Sequence, residues 1–462
     1  MLKLYNTLTK KIEEFRPLKG RTVGFYSCGP TVYDYVHLGN LRTYIFNDLL
    51  RRVLTYDGYN VRHVMNITDV GHLTSDDESG EDKLEKGAKK SGKTVWEVAK
   101  FYEQEFLKDI KALNILPPSK LPRATEHIPE QIQLISQLEK KGFTYETKEA
   151  VYYNVAKFPE YTRLSGQKLE EKKVGVRTEV VTDAAKKHPA DFALWFKLVG
   201  KFKNHVMHWP SPWGEGFPGW HVECSAMSTK YLGQPFDIHT GGVDLILPHH
   251  TNEIAQSQAA YGKPLANFWV HGEHLLINRG KMAKSEGNFI RLQDVVSRGY
   301  SPLAFRYLVL STHYRTKLNF SWEALEAANN ALNHLYDKIS ELNGTPGKFV
   351  CADYDKKFRE EINNNLDLPR ALSLTWRLIK QPNPDQLKLS TLAKFDEVLG
   401  LNLISEAQAR RKIPENIRRL AAEREQLRQS RNFSEADRLR QKIEEEGYSV
   451  KDTPQGTVIK KK

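Results

Sequence analysis

Cysteine is scarce. The 462 residues carry three, Cys28, Cys224 and Cys351; so few and so scattered, they exclude a disulfide framework and leave metal ligation or plain burial for each. Long apolar runs are missing as well. The amino-terminal stretch MLKLYNTLTKKIEEF is charged within its first three residues and lacks an apolar run followed by a small-residue cleavage site, which excludes reading it as a signal peptide or a spanning segment. The expectation is a cytoplasmic protein without a membrane partner. Acidic residues fall short of basic ones, 57 against 69, for a formal charge of +12. That balance suits a polyanionic partner and equally suits a solvated basic surface, so charge alone does not choose. A hydrophobic fraction of 40% supports globular packing, and 462 residues exceed what one core usually serves, so one large domain with one or two smaller ones is expected.

The run from Thr22 to Tyr26 reads as a core strand delivering the turn SCGPT. After it, Leu41, Tyr44, Ile45, Asp48, Leu49 and Arg52 form a mostly apolar stripe at helical spacing, stopped by Gly58. Val61 to Ile67 alternates imperfectly but is rich enough in branched residues to be the next strand, which makes a doubly wound α/β unit. Residues of about 75 to 220 read as an insertion, helical around 94–113 and 126–141 and irregular elsewhere. In it the Gly/Pro-rich run HWPSPWGEGFPGWH feeds an apolar-patterned helix, VECSAMSTKYL. Strand and loop character returns in FDIHTGGVDLILPHH, and a helix starts near Thr251. Beyond 321, Leu325, Ala328, Leu332, Leu335 and Ile339 begin a helical bundle. The Arg/Glu-rich stretch around Asn432 reads as a helix pair; its basic residues suit nucleic acid or merely a solvated face. The last dozen residues are expected to fray. The domain expectation is 1–320, 321–425 and 426–462.

Cys28, Cys224, one of His249 or His250, and Glu253 have ligand chemistry, and either histidine can share a helical face with Glu253. Two thiolates, an imidazole and a carboxylate make a reasonable zinc shell; buried cysteines and ordinary polar histidines explain the same residues. His37 to Asn40, HLGN, precedes the first long helix, where a glycine permits close approach and free amides favour phosphate. Downstream, GKMAKSEGN offers Lys281 and Lys284 beside Ser285 to a polyphosphate, or is an exposed basic turn.

Together these strings point further. His37-Leu38-Gly39-Asn40 and Lys281-Met282-Ala283-Lys284-Ser285 resemble the two signatures of class I aminoacyl-tRNA synthetases. YSCGPTVYDYVHLGNLRTYIFND, MNITDVGH, YTRLSG, SPWGEGFPGWHVECSAM, DIHTGGVDLILPHHTNEIAQS and GKMAKSEGN resemble the cysteinyl-tRNA synthetase family specifically, nearly end to end.

The resemblance implies a Rossmann-like parallel-sheet catalytic core with a connective insertion and an α-helical C-terminal domain. It implies partners L-cysteine, ATP with Mg²⁺, and tRNA-Cys, in an expected monomer. It assigns catalysis to His37, Asn40, Lys281 and Lys284, and nucleotide contact to Gly29, His37, Gly39, Asn40, Gly241, Gly242, Asp244 and Lys284. Thr68, Trp220 and His239 fall beside the amino acid, and Cys28, Cys224, His249 and Glu253 fall on one Zn²⁺ per subunit.

Departures exist. Asn40 stands for the histidine closing the general class signature, and Ala283 for a serine. HTGG and HHTN replace HGGG and HHEN, placing Thr240 and Thr251 on the expected pocket rim. NNNLDLP replaces DDDLNTP. Two competing functions remain: a cysteine ligase acting on a sugar amine, which gives no reason for the long helical C-terminal part, and a zinc-stabilised nucleic-acid-binding protein, which leaves the two phosphate loops without a purpose.

Overall fold

The computed structural model describes residues 1–71, 82–167, 183, 185–277, 280–281, 289–411, 414–453 and 456–461. The strand, helix and strand expected first are β1 (Thr22–Ser27), α1 (Leu38–Tyr56) and β2 (Asn60–Met65). Helix α2 (Trp220–Leu232) leads into β3 (Phe236–Gly242), and α3 (Thr251–Tyr261) leads into β4 (Ala266–Gly272). All four strands run parallel in the order β4-β3-β1-β2. Parallel sheets are covered on both faces, which is why β2 shows no clean alternation: His63, Val64 and Met65 are all buried.

The order reverses between β1 and β3, and the crevice beyond the carboxyl ends there is where such sheets receive ligands. Ser27 lies level with Met65 and Thr240, and the Cys28 amide donates to the Thr240 carbonyl at 3.3 Å. Cys28 and Gly241 therefore open onto the same crevice.

Helix α1 ends where Gly58 takes φ +84°, a conformation that favours glycine. The two charges in its inward stripe are matched. Arg306, without exposed surface, donates to Asp48 Oδ2 at 2.6 Å, Arg52 Nε donates to it at 2.8 Å, and the Leu116 amide donates to Oδ1 at 2.9 Å. Burial opposes the Asp48 charge, but the Arg306 and Arg52 guanidiniums outweigh it and hold the carboxyl below its usual range.

The insertion carries helices Lys83–Ser91, Val95–Ala112 and Ile128–Lys140. The stretch read as irregular contains an antiparallel sheet, Thr144–Glu146, Ala150–Tyr153, Phe192–Lys197 and Gly216–Pro218 in that order. Strands this short are hard to separate from loop by periodicity. Its last strand delivers the chain to α2 through Gly219, where a Cβ would lie 2.0 Å from the Ala193 carbonyl.

The chain divides into two compact units, Met1–Glu326 with Arg359–Ala371, and Ala327–Phe358 with Leu372–Lys462. Residues 359–371 complete the first unit: Asn365 Oδ1 accepts from the Tyr5 amide at 2.9 Å and the Tyr314 hydroxyl at 2.7 Å, and Arg359 pairs with Asp57 at 2.5 Å.

In the second unit Phe358 stacks on Phe395 at 3.9 Å and the Tyr336 hydroxyl donates to Leu401 at 2.6 Å. Several arginines hold this unit together. Arg410 pairs with Asp337 at 2.7 Å, and Arg411 donates to the Ser340 and Leu342 carbonyls at the end of helix Trp322–Ser340. Asn432 caps the second of the paired helices, Glu415–Gln429 and Phe433–Glu445. Arg424 grips both oxygens of Asp452, at 2.7 and 3.0 Å. The tail expected to fray instead forms an antiparallel ribbon, Tyr448–Thr453 with Gly456–Lys461, because Val450 and Ile459 pack on Ile417, Ala421 and Ile443.

Removing one member of a buried ion cluster strands the others. Denaturant unfolding of Asp48→Ala should show a loss of about 3–5 kcal/mol; a loss below about 1 kcal/mol would place this triad with exposed pairs. Since the folded pKa is depressed, the Asp48 contribution is intact at neutral pH and disappears only as pH falls below the ordinary carboxylate range.

Candidate metal centre and nucleotide loops

Four elements converge at the switch point. Cys28 follows β1, Cys224 sits one turn into α2, His249 and His250 lie in the turn Ile246–His250, and Glu253 is in the first turn of α3. Glu253 has no exposed surface, and the other four are buried. Oε1 of Glu253 is 3.0 Å from His249 Nε2, and Oε2 is 2.9 Å from His239 Nε2.

Two overlapping sets have ligand atoms within 4.8 Å of one another: Cys28, Cys224, His249 and Glu253, or Cys28, His239, His250 and Glu253. Donor chemistry favours the first. It supplies two sulfurs, one imidazole and one carboxylate, a tetrahedral complement that suits zinc, and leaves His239 to orient the carboxylate from behind. His250 is engaged on both sides, Nδ1 lying 2.8 Å from His271 Nε2 and Nε2 lying 3.3 Å from Cys28 Sγ. His249 Nδ1 lies 3.1 Å from His221 Nδ1, which fixes the ring and leaves Nε2 toward Glu253.

The four groups shift one another's protonation. A hydrogen bond from Cys28 draws the Cys224 thiol down to about 6 against its burial, whereas burial and the Cys224 neighbour raise Cys28 well above its usual value. Burial opposes charge on His249, but Glu253 and Cys224 outweigh it and raise the ring to about 10. Burial likewise opposes charge on Glu253, and His239 with His249 holds it at about 2.

Of the residues expected to contact nucleotide, Gly241 lies against His250 of this cluster. His37 caps α1: its Nδ1 accepts from the Asn40 amide at 3.2 Å, and Asn40 Oδ1 accepts from the His37 amide at 3.2 Å. A neutral His37 ring therefore carries its proton on Nε2. The helix start is less open than expected, since the Leu38 amide also donates to the Ile290 carbonyl at 2.9 Å. Gly39 lies in the first turn of α1. At Gly29 a Cβ would meet the Asn66 carbonyl at 1.7 Å, and at Gly241 it would meet His250 Cε1 and Leu245 Cδ1 at 2.8 Å. A Cβ on Gly242 would fall 2.3 Å from Asp244 Oδ1, and Asp244 itself is exposed.

Trp220, half-buried, lies 4.5 Å from the His249 ring. The buried Thr68 hydroxyl donates to Glu223 at 2.8 Å and accepts from Asn66 at 3.1 Å, so it also braces the residue preceding Cys224. Thr240 and Thr251 are buried rather than on a rim, and the Thr251 hydroxyl donates to Ile246 at 2.7 Å. Lys281 lies in a two-residue strand, Gly280–Lys281, paired with Leu276–Ile277; Met282, Ala283, Lys284 and Ser285 lie outside the described residues. His221, Glu223 and His271 escaped sequence reasoning. Their signal was position, His221 and Glu223 lying within three residues of Cys224.

Residues 14–330 match the family described as tRNA synthetases class I (C) catalytic domain. A protein named cysteine–tRNA ligase 1 from Burkholderia lata is 47% identical over 98% of this chain and 96% of its own length. A cysteine–tRNA ligase from Treponema denticola is 44% identical over 100% and 99%. Among solved structures, Mycobacterium tuberculosis methionyl-tRNA synthetase with methionyl-adenylate superposes with TM-score 0.55 at 17% identity, covering 84% of this chain and 92% of that one. The Agrobacterium radiobacter K84 agnB2 LeuRS–tRNA–LeuAMS complex gives 0.58 at 10% identity, covering 85% of each. These structures bear on the fold alone.

Metal uptake should release protons. At pH 7 Cys224 and Glu253 are already deprotonated, whereas Cys28 and His249 hold protons that a metal must displace. Calorimetry of zinc addition in buffers of different ionisation heat should give about two protons per ion at pH 7, with affinity falling about 100-fold per pH unit near neutrality and more steeply below about 6, where Cys224 also takes a proton. Uptake without proton release would contradict this donor set. Cys224→Ser should lower bound metal while the circular dichroism stays native.

Proposed function

The chain belongs to the cysteine–tRNA ligase family of class I synthetases, and from that premise we propose how its own residues join L-cysteine to tRNA. It activates cysteine with ATP to cysteinyl-adenylate and pyrophosphate, then passes cysteine to a ribose hydroxyl at the 3′ end of the tRNA. The observation carrying this reading is the buried, sulfur-containing donor set at the switch point beside the Gly241 stretch, in a chain that matches cysteine–tRNA ligases end to end.

Activation needs no side-chain nucleophile, because the cysteine carboxylate itself attacks the α-phosphorus. The chain's task is orientation and stabilisation of developing charge. His37 directs its Nε2 proton to phosphate while Asn40 holds the ring and the nucleotide. Gly29, Gly39, Gly241 and Gly242 let the nucleotide lie against backbone, and Asp244 accepts from the ribose. Lys281 and Lys284 neutralise the departing pyrophosphate, with Mg²⁺ accompanying ATP.

Trp220 and His239 border the cysteine, and Thr68 steadies the start of α2 through Glu223. Cys28, Cys224, His249 and Glu253 would hold one Zn²⁺, which when bound supplies a soft Lewis acid that favours a thiolate over the serine hydroxyl. Selection of this kind discriminates where outline alone gives little. No helix among the described residues is long and apolar enough to cross a membrane. We assign the protein to the cytoplasm as a monomer, with catalysis in 1–320 and tRNA recognition in 321–425 and 426–462. Arg410 and Arg411 are committed to internal contacts, so recognition falls on exposed pairs such as Arg418 and Arg419.

Cysteine-dependent ATP–pyrophosphate exchange tests the activity, and absence of exchange in folded, metal-loaded protein would overturn it. Lys284→Ala should slow adenylate formation by about 10²-fold or more with less effect on cysteine affinity, and Lys281→Ala should be milder; normal single-turnover adenylate formation in Lys284→Ala would remove this role. Deleting everything beyond 325 would also remove residues 359–371 of the first unit, so the cleaner probe is Arg418→Glu with Arg419→Glu. That variant should weaken charging and lessen its salt dependence while exchange is unchanged; unchanged charging would count against recognition there.

A further inference from the structure

An aromatic cluster that the activation step does not use begins two residues before the His37–Asn40 signature. Tyr35, two residues before His37, meets Tyr102 edge-to-face at 5.0 Å and Phe101 at 6.1 Å, and those two meet at 5.1 Å. The Arg291 guanidinium lies 4.8 Å over the Tyr35 ring. All three rings are half-buried. The cluster is tied to the nucleotide loop from both sides, since Leu38 donates to Ile290 and the His37 ring meets Phe289 edge-on at 5.3 Å.

Its charge is nearly balanced. Lys108 pairs with Glu105 at 2.6 Å, and Arg291 lowers the cost of charge on Asp109, whose carboxyl burial and Glu105 raise to about 6. Such a surface suits the face of a base better than a phosphate. Phosphate-binding charge lies beside it: Lys93 sits 4.8 Å over Phe101, and Lys86, Lys89 and Lys90 are exposed on helix Lys83–Ser91.

We propose that Tyr35, Phe101 and Tyr102, with Arg291, form a stacking platform for an unpaired base at the 3′ end of the tRNA, and that the lysines of helix Lys83–Ser91 follow its backbone. Single-stranded ends are held by this combination, aromatic and guanidinium planes for bases and a basic track for phosphates. Helix Lys83–Ser91 has 9 residues, about 13 Å at the α-helical rise, longer than a single nucleotide, which favours the tRNA end over the adenine of ATP as occupant. The inference rests on the reading that the chain charges tRNA, and the platform positions the end rather than reacting with it.

The test uses full-length, metal-loaded protein and a tRNA with 2-aminopurine as the terminal base. Binding should quench the fluorophore, and Tyr102→Leu or Phe101→Leu should relieve the quenching, whereas Tyr102→Phe should retain it. In single-turnover transfer from preformed adenylate the Leu variants should lose about 5- to 100-fold, and a tRNA with an abasic terminal position should lose a similar factor with no further loss in the variants. Unquenched fluorescence on wild-type protein, or additive losses, overturns the platform whether or not a variant folds. A raised KM for ATP in exchange would reassign it to adenine, which also overturns the proposal. Absence of cysteine-dependent exchange in wild-type protein would instead indict the activity.

Discussion

Glu253 is a carboxylate with no surface in contact with water, and a buried charge is tolerated only where partners replace its hydration. Three imidazoles lie within 3.9 Å of its oxygens, and Cys28 Sγ lies at the same distance. These groups come from the end of β1, from within β3 and from the turn before α3, so the local chemistry depends on a sheet that brings distant segments to one point. The register of β1 against β3 and the Cys28 to Thr240 hydrogen bond set that point. Glycine allows the approach, because a side chain at Gly241 would occupy the space of the His250 ring.

Asp48, also buried and paired with arginines, obeys the same rule at a distance. Asp48 ties α1 to helix Pro302–Leu310 through Arg306, and so holds the helix that begins at His37. The candidate donor set is carried by the sheet and the helices that follow its strands, which suits selection by fixed geometry.

Much of this was legible in sequence. The β1–α1–β2 unit was visible because a stripe at helical spacing ending in Gly58 has few other readings. The ligand set was visible only through resemblance: Cys28 and Glu253 are 225 residues apart, and no periodicity relates them. Only resemblance picked His249 over His250, since both rings reach Glu253 and each belongs to a candidate set. The insertion's sheet stayed hidden because its strands have three to six residues. Charge was the least readable quantity. Basic residues around Asn432 suit nucleic acid or a solvated face in sequence, yet Arg424 is spent on Asp452, and Arg410 and Arg411 are likewise spent on a carboxylate and a carbonyl of their own unit.

Selection of the amino acid is proposed to happen at the Cys28, Cys224, His249 and Glu253 donor set. X-ray absorption at the metal edge of the purified protein, with and without L-cysteine, addresses that directly. Two sulfur neighbours without the amino acid and one more in its presence, with no change on adding serine, is the predicted result. A sulfur shell that stays the same when cysteine binds would contradict it and return selection to hydrogen bonding and shape.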